Sequence, residues 1–220
     1  MKKPSPGISK TISFLLAVMV PLALLLTSIR IVLTETWVSL EYHMPGFPAD
    51  SYGMTMEERL EYGPLALTFL LNDQDISYLA DQTFADGSPL YNDRELSHME
   101  DVKDLTQVVL KVWLGLLAGL ALIGLWAWRA AWLDYFKAMV SNGGKVTLYA
   151  LAGLLLFAAI SFQAFFTAFH GLFFEGDTWL FLYSDTLIRL FPERFWIDVV
   201  FLIGILTIGG ALFLWRCFRK

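Results

Sequence analysis

The 220-residue chain is 56% hydrophobic and carries only 17% charged residues, with a mean hydropathy of +0.56. This composition excludes an ordinary soluble globular domain. The net charge of −5 says little as a sum, and we predict no nucleic-acid partner; the single cysteine excludes a disulfide framework and a cysteine metal cluster.

Four apolar runs are long enough to cross a bilayer, because about 20 helical residues span the hydrocarbon. They are residues 11–33, 105–128, 146–169 and 197–215. The sequence therefore predicts a multi-pass membrane protein, an all-α bundle of four spanning helices.

Charge is distributed unevenly between the segments that join these runs. Segments 1–10, 129–145 and 216–220 contain nine Lys or Arg and one acid, whereas segments 34–104 and 171–195 contain five basic and nineteen acidic residues. By the positive-inside rule, both termini and the 129–145 loop are cytoplasmic, and the two acidic segments are extracytoplasmic.

The first segment, 1–33, has a basic start but an apolar run too long for a signal peptide, and we interpret it as a retained anchor. Pro21 is expected to kink this span. Arg30 lies near its outer end, where it either extends to the interface or binds the head group of a substrate.

Residues 34–104 are predicted to form a small extracytoplasmic α+β cap. Thr36–Tyr42 is rich in β-formers and predicts a strand. Thr55 and Glu58 form a capping box that opens a helix to about Asn72. The turn at 86–89 suggests a short hairpin.

The second span, 105–128, is preceded by a second capping box, Ser97 and Glu100, which places His98 in the first helical turn. Asp101 follows three residues later on the same helix face. It either orients His98 or only adds negative charge to the first turn of the helix.

The third span, 146–170, ends at His170, and an Asn-Gly-Gly sequence at 142–144 is expected to close the cytoplasmic turn before it. Twelve of the 36 residues from Ser161 to Trp196 are aromatic. Within the 171–195 loop, Phe174, Trp179 and Tyr183 are candidates to line an acyl-chain pocket, although aromatic residues also collect at membrane interfaces. The segment 196–220 supplies the fourth span and the C-terminus.

His98 and His170 are expected at the same depth on the outer side, because antiparallel helices joined by a short loop pack side by side. The positive end of a helix favours the neutral form of His98, whereas the C-terminal end favours protonation of His170. Two such imidazoles can act as base and acid in acyl or proton transfer. A zinc site with Asp101, Glu175 or Asp177 is conceivable, but the spacing matches no known ligand pattern, and we predict neither metal nor cofactor.

Four stretches carry a resemblance to a known family. They are HMEDVK at 98–103, FHGLFF at 169–174, Trp179, and DTLIRLFP at 185–192. Together with the order of spans and cap, they resemble the bacterial lipoprotein intramolecular transacylases, Lit. The resemblance implies catalytic roles for His98 and His170. It also implies a diacylated lipoprotein substrate, whose sn-2 acyl chain moves from the diacylglyceryl-cysteine to the cysteine's own α-amine.

We therefore predict an acyltransferase of the bacterial plasma membrane with its active site at the outer leaflet. Its partners are membrane lipid and the lipoprotein, and the oligomeric state is left open. One alternative is a membrane hydrolase, with or without a metal. The other is a non-enzymatic accessory or transport protein whose histidines sense pH.

Overall fold

A computed structural model describes residues 3–218 of the chain. The described residues form nine α-helices: α1 (Pro6–Val32), α2 (Glu35–Tyr42), α3 (Met56–Leu71), α4 (Ser77–Ala80), α5 (Asp93–Arg129), α6 (Leu133–Ile160), α7 (Phe162–Phe173), α8 (Thr186–Leu190) and α9 (Glu193–Cys217). Four of them, α1, α5, α6 and α9, are long and apolar enough to cross a membrane, as predicted. Residues 1–2 and 219–220 lie outside the described range, with three of the basic residues used to orient the termini.

The predicted α+β character of the 34–104 segment is wrong. Thr36–Tyr42 lies in a helix, α2, which the Thr34 side chain caps by accepting a hydrogen bond from the Trp37 N–H. The buried residues of α2 are Val38, Glu41 and Tyr42, a spacing of three and four that belongs to a helix. Burial of this face outweighs the β-propensity of the individual residues.

Of the two local motifs predicted in this segment, the capping box is confirmed and the hairpin is not. The capping box of Thr55 and Glu58 is present, and it opens α3 as predicted. The 86–89 turn brings its flanks together through a single bridge between Thr83 and Pro89. No strand forms in residues 3–218, so this turn is not a hairpin between strands.

Helix α5 begins earlier than predicted. The Asn92 side chain accepts a hydrogen bond from the Glu95 N–H at 3.1 Å, and the Glu95 carboxylate accepts one from the Asn92 N–H at 2.9 Å. This reciprocal cap, rather than Ser97 and Glu100, starts the helix at Asp93. His98 therefore lies in the second turn.

The predicted third span and the loop before it have other bounds in the structure. Residues 142–144 lie inside α6, and only residues 130–132 separate it from α5. The two glycines allow close packing: a Cβ on Gly143 would lie 2.7 Å from Cβ of Val20, and one on Gly144 would lie 2.8 Å from the Ala211 carbonyl oxygen. The apolar run after them is interrupted at Ser161, whose hydroxyl caps α7 at the Ala164 N–H.

The chain divides into two compact units. The first contains residues up to Ile31, Val109–Ile160 and residues from Phe201 onward. Its buried cluster joins α1 to the α5–α6 connection through Leu16, Val20, Ala127 and Trp132. Polar pairs also lie inside it, among them the Thr207 hydroxyl donating to Ser28 at 2.9 Å.

The second unit contains Val32–Val108 and Ser161–Val200, and both histidines of interest belong to it. Its largest buried cluster packs α3 and α4 against the start of α5 and against α8, through residues that include Phe69, Leu79, Leu90, Met99 and Leu190. Buried Arg59 contributes by donating to the Arg189 carbonyl at 2.9 Å and to the Pro48 carbonyl at 2.6 Å. The site is therefore carried by a packed unit with its own core.

Candidate active site

The rings of His98 and His170 lie beside one another in the second unit. Their centroids are 6.2 Å apart and their planes are inclined by 25°. Both side chains are buried, with exposed fractions of 7% and 9%. Two titratable groups this close and this well shielded from water are typical of a catalytic site.

His170 is positioned by its own helix. It lies in the last turn of α7, and its Nδ1 is 2.8 Å from the Phe166 carbonyl oxygen. A carbonyl can only accept, so Nδ1 carries the proton and the neutral ring keeps its lone pair on Nε2. The neutral ring of His170 therefore presents Nε2 as its hydrogen-bond acceptor.

The electrostatic expectation for His170 is not met. Burial lowers its pKa below the ordinary 6.5, although the hydrogen bond with the Phe166 carbonyl acts in the opposite direction. The desolvation of a charged imidazolium here outweighs the favourable potential of the helix C-terminus. The helix potential contributes little at His98, because it fades after the first turn and His98 lies in the second.

The side chain of His98 makes no hydrogen bond among the described residues, and its Nδ1 is buried without a partner. Aromatic rings hold it instead: Phe174 has its ring centroid 5.0 Å away and Phe181 has its centroid 5.3 Å away, both edge-on. Packing against these rings thus holds the imidazole in place and leaves its nitrogens available to exchange a proton with a bound molecule.

The wall around His170 is also aromatic. The ring centroid of Phe166 lies 4.0 Å from that of His170, and the centroid of Trp179 lies 4.8 Å away. Phe174 contacts both histidines, since its ring is also 5.6 Å from His170. These rings form a low-dielectric surround suited to acyl chains, and they include two of the residues predicted to line the pocket, Phe174 and Trp179.

The remaining predicted residues have no hydrogen bond to either histidine within residues 3–218. Asp101 is exposed on α5 and no hydrogen bond joins it to His98 within residues 3–218, so the structure offers no support for an orienting role. Tyr183 is 81% exposed. Arg30 lies in the last turn of α1, in the first unit, and its role stays a prediction. In the described part of the chain, no three His, Cys, Asp or Glu side chains converge as a metal site.

The sequence interpretation missed three important neighbours. Phe166 precedes His170 by four residues, so helical spacing could have identified it. Glu95 precedes His98 by three residues and is 1% exposed; its carboxylate accepts from the Leu187 N–H at 2.6 Å. The Asn92–Glu95 spacing was a signal for its capping role. Phe181 lies in an irregular segment, and no local pattern marks it.

The chain is similar to known proteins. The family model of the lipoprotein intramolecular transacylase Lit matches residues 14–196. A relative from Aquifex aeolicus (strain VF5), described as an uncharacterized protein, is 33% identical over 199 residues, which cover 90% of this chain and 88% of the relative.

The fold is also that of solved structures. The membrane integral lipoprotein intramolecular transacylase Lit from Bacillus cereus superimposes with a TM-score of 0.67 at 19% identity, covering 97% of this chain and 95% of that one. A variant of the same protein with one histidine replaced gives a TM-score of 0.72 at 20% identity, covering 97% of this chain and 91% of that one. The family match spans most of the chain, both histidines included, and the chain belongs to the lipoprotein intramolecular transacylase family, Lit.

Proposed function

We propose that this enzyme moves the sn-2 acyl chain of a diacylglyceryl-cysteine lipoprotein onto the cysteine's own α-amine, with His98 and His170 as acid–base pair. The observation that supports this best is the pair itself: two buried imidazoles, 6.2 Å between centroids, within an aromatic wall. The product is the lyso-form lipoprotein, which carries one acyl chain on nitrogen and one on glyceryl.

The reaction needs no nucleophile from the protein, because the substrate's amine attacks its own ester. The α-ammonium first gives one proton to His98. The amine nitrogen then attacks the sn-2 carbonyl carbon and gives its second proton to Nε2 of His170. The C–N bond forms, the bond between the carbonyl carbon and the glyceryl oxygen breaks, and His98 returns its proton to that oxygen. His170 releases the remaining proton to solvent, so one proton leaves per turnover.

The aromatic surround contributes to this reaction in two ways. It holds acyl chains next to the imidazoles, and such proximity supplies up to roughly 7–11 kcal/mol in favourable intramolecular cases. It also excludes water, which would otherwise hydrolyse the ester.

We propose that both termini are cytoplasmic and that the histidines work at the outer leaflet, in line with the charge asymmetry of the loops.

The test is mass spectrometry of the N-terminal peptide of a reporter lipoprotein in a host that makes the diacyl form. Wild-type enzyme should shift one acyl chain to the amine, and His98→Ala or His170→Ala should abolish the shift. His43→Ala is the matched control, because His43 is exposed at the end of α2. An unchanged diacyl form with well-expressed wild type contradicts the proposal, and loss of a chain without N-acylation would indicate a hydrolase.

A further inference from the structure

A cavity adjoins the histidine pair through Phe181. Its volume is about 490 Å³, within the range of ligand pockets, and it is lined by Asn92, Arg94, Leu180, Phe181, Leu182 and Asp185. Phe181 belongs to both places, because its side chain packs edge-on against His98 with 5.3 Å between centroids. Only the side chain of Phe181 therefore needs to separate a molecule in this cavity from the imidazole of His98.

The cavity differs chemically from the aromatic wall. Arg94 donates from Nη1 to the Leu180 carbonyl at 2.9 Å, and its other guanidinium donors have no partner in the described residues. The Leu182 N–H donates to the Asp185 carboxylate at 2.8 Å, which uses one of its two oxygens. The lining thus presents free donors and a free acceptor together.

The backbone of Phe181 adds one more hydrogen-bond donor and one more acceptor. Its neighbours are engaged, since the Leu180 N–H donates to the Asp177 carbonyl at 3.0 Å and the Leu182 N–H is held by Asp185. The N–H and C=O of Phe181 take part in no hydrogen bond within residues 3–218. An adjacent free donor and acceptor match the groups that an extended peptide presents along one edge.

We propose that this cavity binds the polypeptide that follows the acylated cysteine, through the backbone of Phe181 and the side chain of Arg94. The inference rests on the proposed function, and it names how the enzyme distinguishes a lipoprotein from free lipid. Acyl chains cannot use these polar groups. A phosphate headgroup would meet the carboxylate of Asp185 beside Arg94, so the mixed lining favours a peptide over an anionic lipid.

The experiment uses the purified full chain and three synthetic diacylglyceryl-cysteine substrates. One ends in an amide directly after the cysteine, one continues for four residues, and one carries an N-methyl group on successive backbone amides of those four. We expect the four-residue substrate to have a KM about fivefold to tenfold lower than the short one. Methylation at one position near the cysteine should remove most of that gain, because it deletes a single N–H donor.

A protein variant completes the test. Arg94→Ala should raise the KM of the four-residue substrate about fivefold more than that of the short one. Glu100→Ala, an exposed residue of the same helix that does not line the cavity, is the matched control. Equal KM values for short and long substrates, or indifference to methylation at every position, overturn the peptide site while leaving the transfer reaction standing. A wild type that converts none of the substrates overturns the transfer reaction, and the peptide site with it.

Discussion

Nδ1 of His170 is 2.8 Å from the carbonyl oxygen of Phe166, one helical turn earlier in α7. The helix thereby sets the tautomer of the imidazole with its own backbone, without help from another side chain. In other histidine sites, a carboxylate oxygen often accepts the ring N–H for this purpose. Burial favours the neutral ring, and in that ring this hydrogen bond leaves Nε2 as the nitrogen that can accept a proton.

The first prediction concerns pH. Because burial lowers the pKa of His170, the neutral base persists below the ordinary pKa of 6.5 and is lost only as the pH falls through the lower folded value. The acidic limb of kcat/KM should therefore lie below pH 6.5. Initial rates of N-acylation between pH 4.5 and 8 measure it. A limb above pH 7 would mean that another group controls the reaction.

Glu95 is predicted to hold the site together without contacting substrate. Its carboxylate accepts from the backbone N–H of Leu187 and of Asn92, and so ties α8 to the start of α5. Glu95→Gln replaces one acceptor with a donor and leaves a buried N–H unpaired, which should cost about 1–3 kcal/mol of unfolding free energy. We also expect kcat to fall while KM changes little.

Thermal melting and steady-state kinetics of Glu95→Gln measure both effects. Glu100→Gln removes a charge from an exposed position of the same helix and should change neither quantity. Equal loss in the two variants would show that helix charge, rather than the Leu187 contact, accounts for the result.

Glu41 is predicted to make stability depend on pH. It is fully buried in α2, and burial together with the hydrogen bond and the charge of the neighbouring Asp198 carboxyl raises its pKa to about 7, with Arg194 opposing. Because the folded pKa lies above the unfolded value of 4.5, the contribution to stability is full below pH 4.5 and is lost as the pH rises through about 7.

Glu41→Gln should therefore be more stable than wild type at pH 8, and its melting temperature should vary less between pH 4.5 and 7. Melting curves in detergent across this range give the comparison. Glu61→Gln, on the exposed face of α3, is the control and should retain the wild-type pH dependence. A variant whose stability follows the wild-type curve would exclude Glu41 as the source.

The last prediction concerns packing in the first unit. A Cβ at Gly143 would lie 2.7 Å from Cβ of Val20, closer than real side-chain contacts, and backbone oxygen of Leu16 lies 3.1 Å away. Gly143→Ala should therefore destabilise the protein by about 1–3 kcal/mol, as overpacking does. Gly153→Ala, in the same helix with open space around it, should be neutral or slightly stabilising. Melting temperatures of the two variants test this prediction, and an unchanged melting temperature for Gly143→Ala would contradict it.

Much of this protein is determined by its sequence. Four long apolar runs predict four spanning helices because only hydrogen-bonded helices of that length satisfy their backbone in lipid. The capping box at Thr55 gives the start of α3 from two residues alone. The two histidines were predicted to lie together at the ends of neighbouring spans, and their ring centroids are 6.2 Å apart, although His170 lies in α7 and not at the end of the spanning helix α6.

The tertiary structure determined the conformation of segments whose local sequence pattern is ambiguous. Thr36–Tyr42 has β-forming residues but becomes a helix because one helical face packs into the core. Gly143 and Gly144 look like a turn but lie in a helix, because neighbouring helices approach too closely for a side chain. Phe181 contacts His98, and Glu95 contacts Leu187 of α8, although the residues of each pair are far apart in the sequence. Burial and close approach depend on the whole fold, and no short stretch of sequence encodes them.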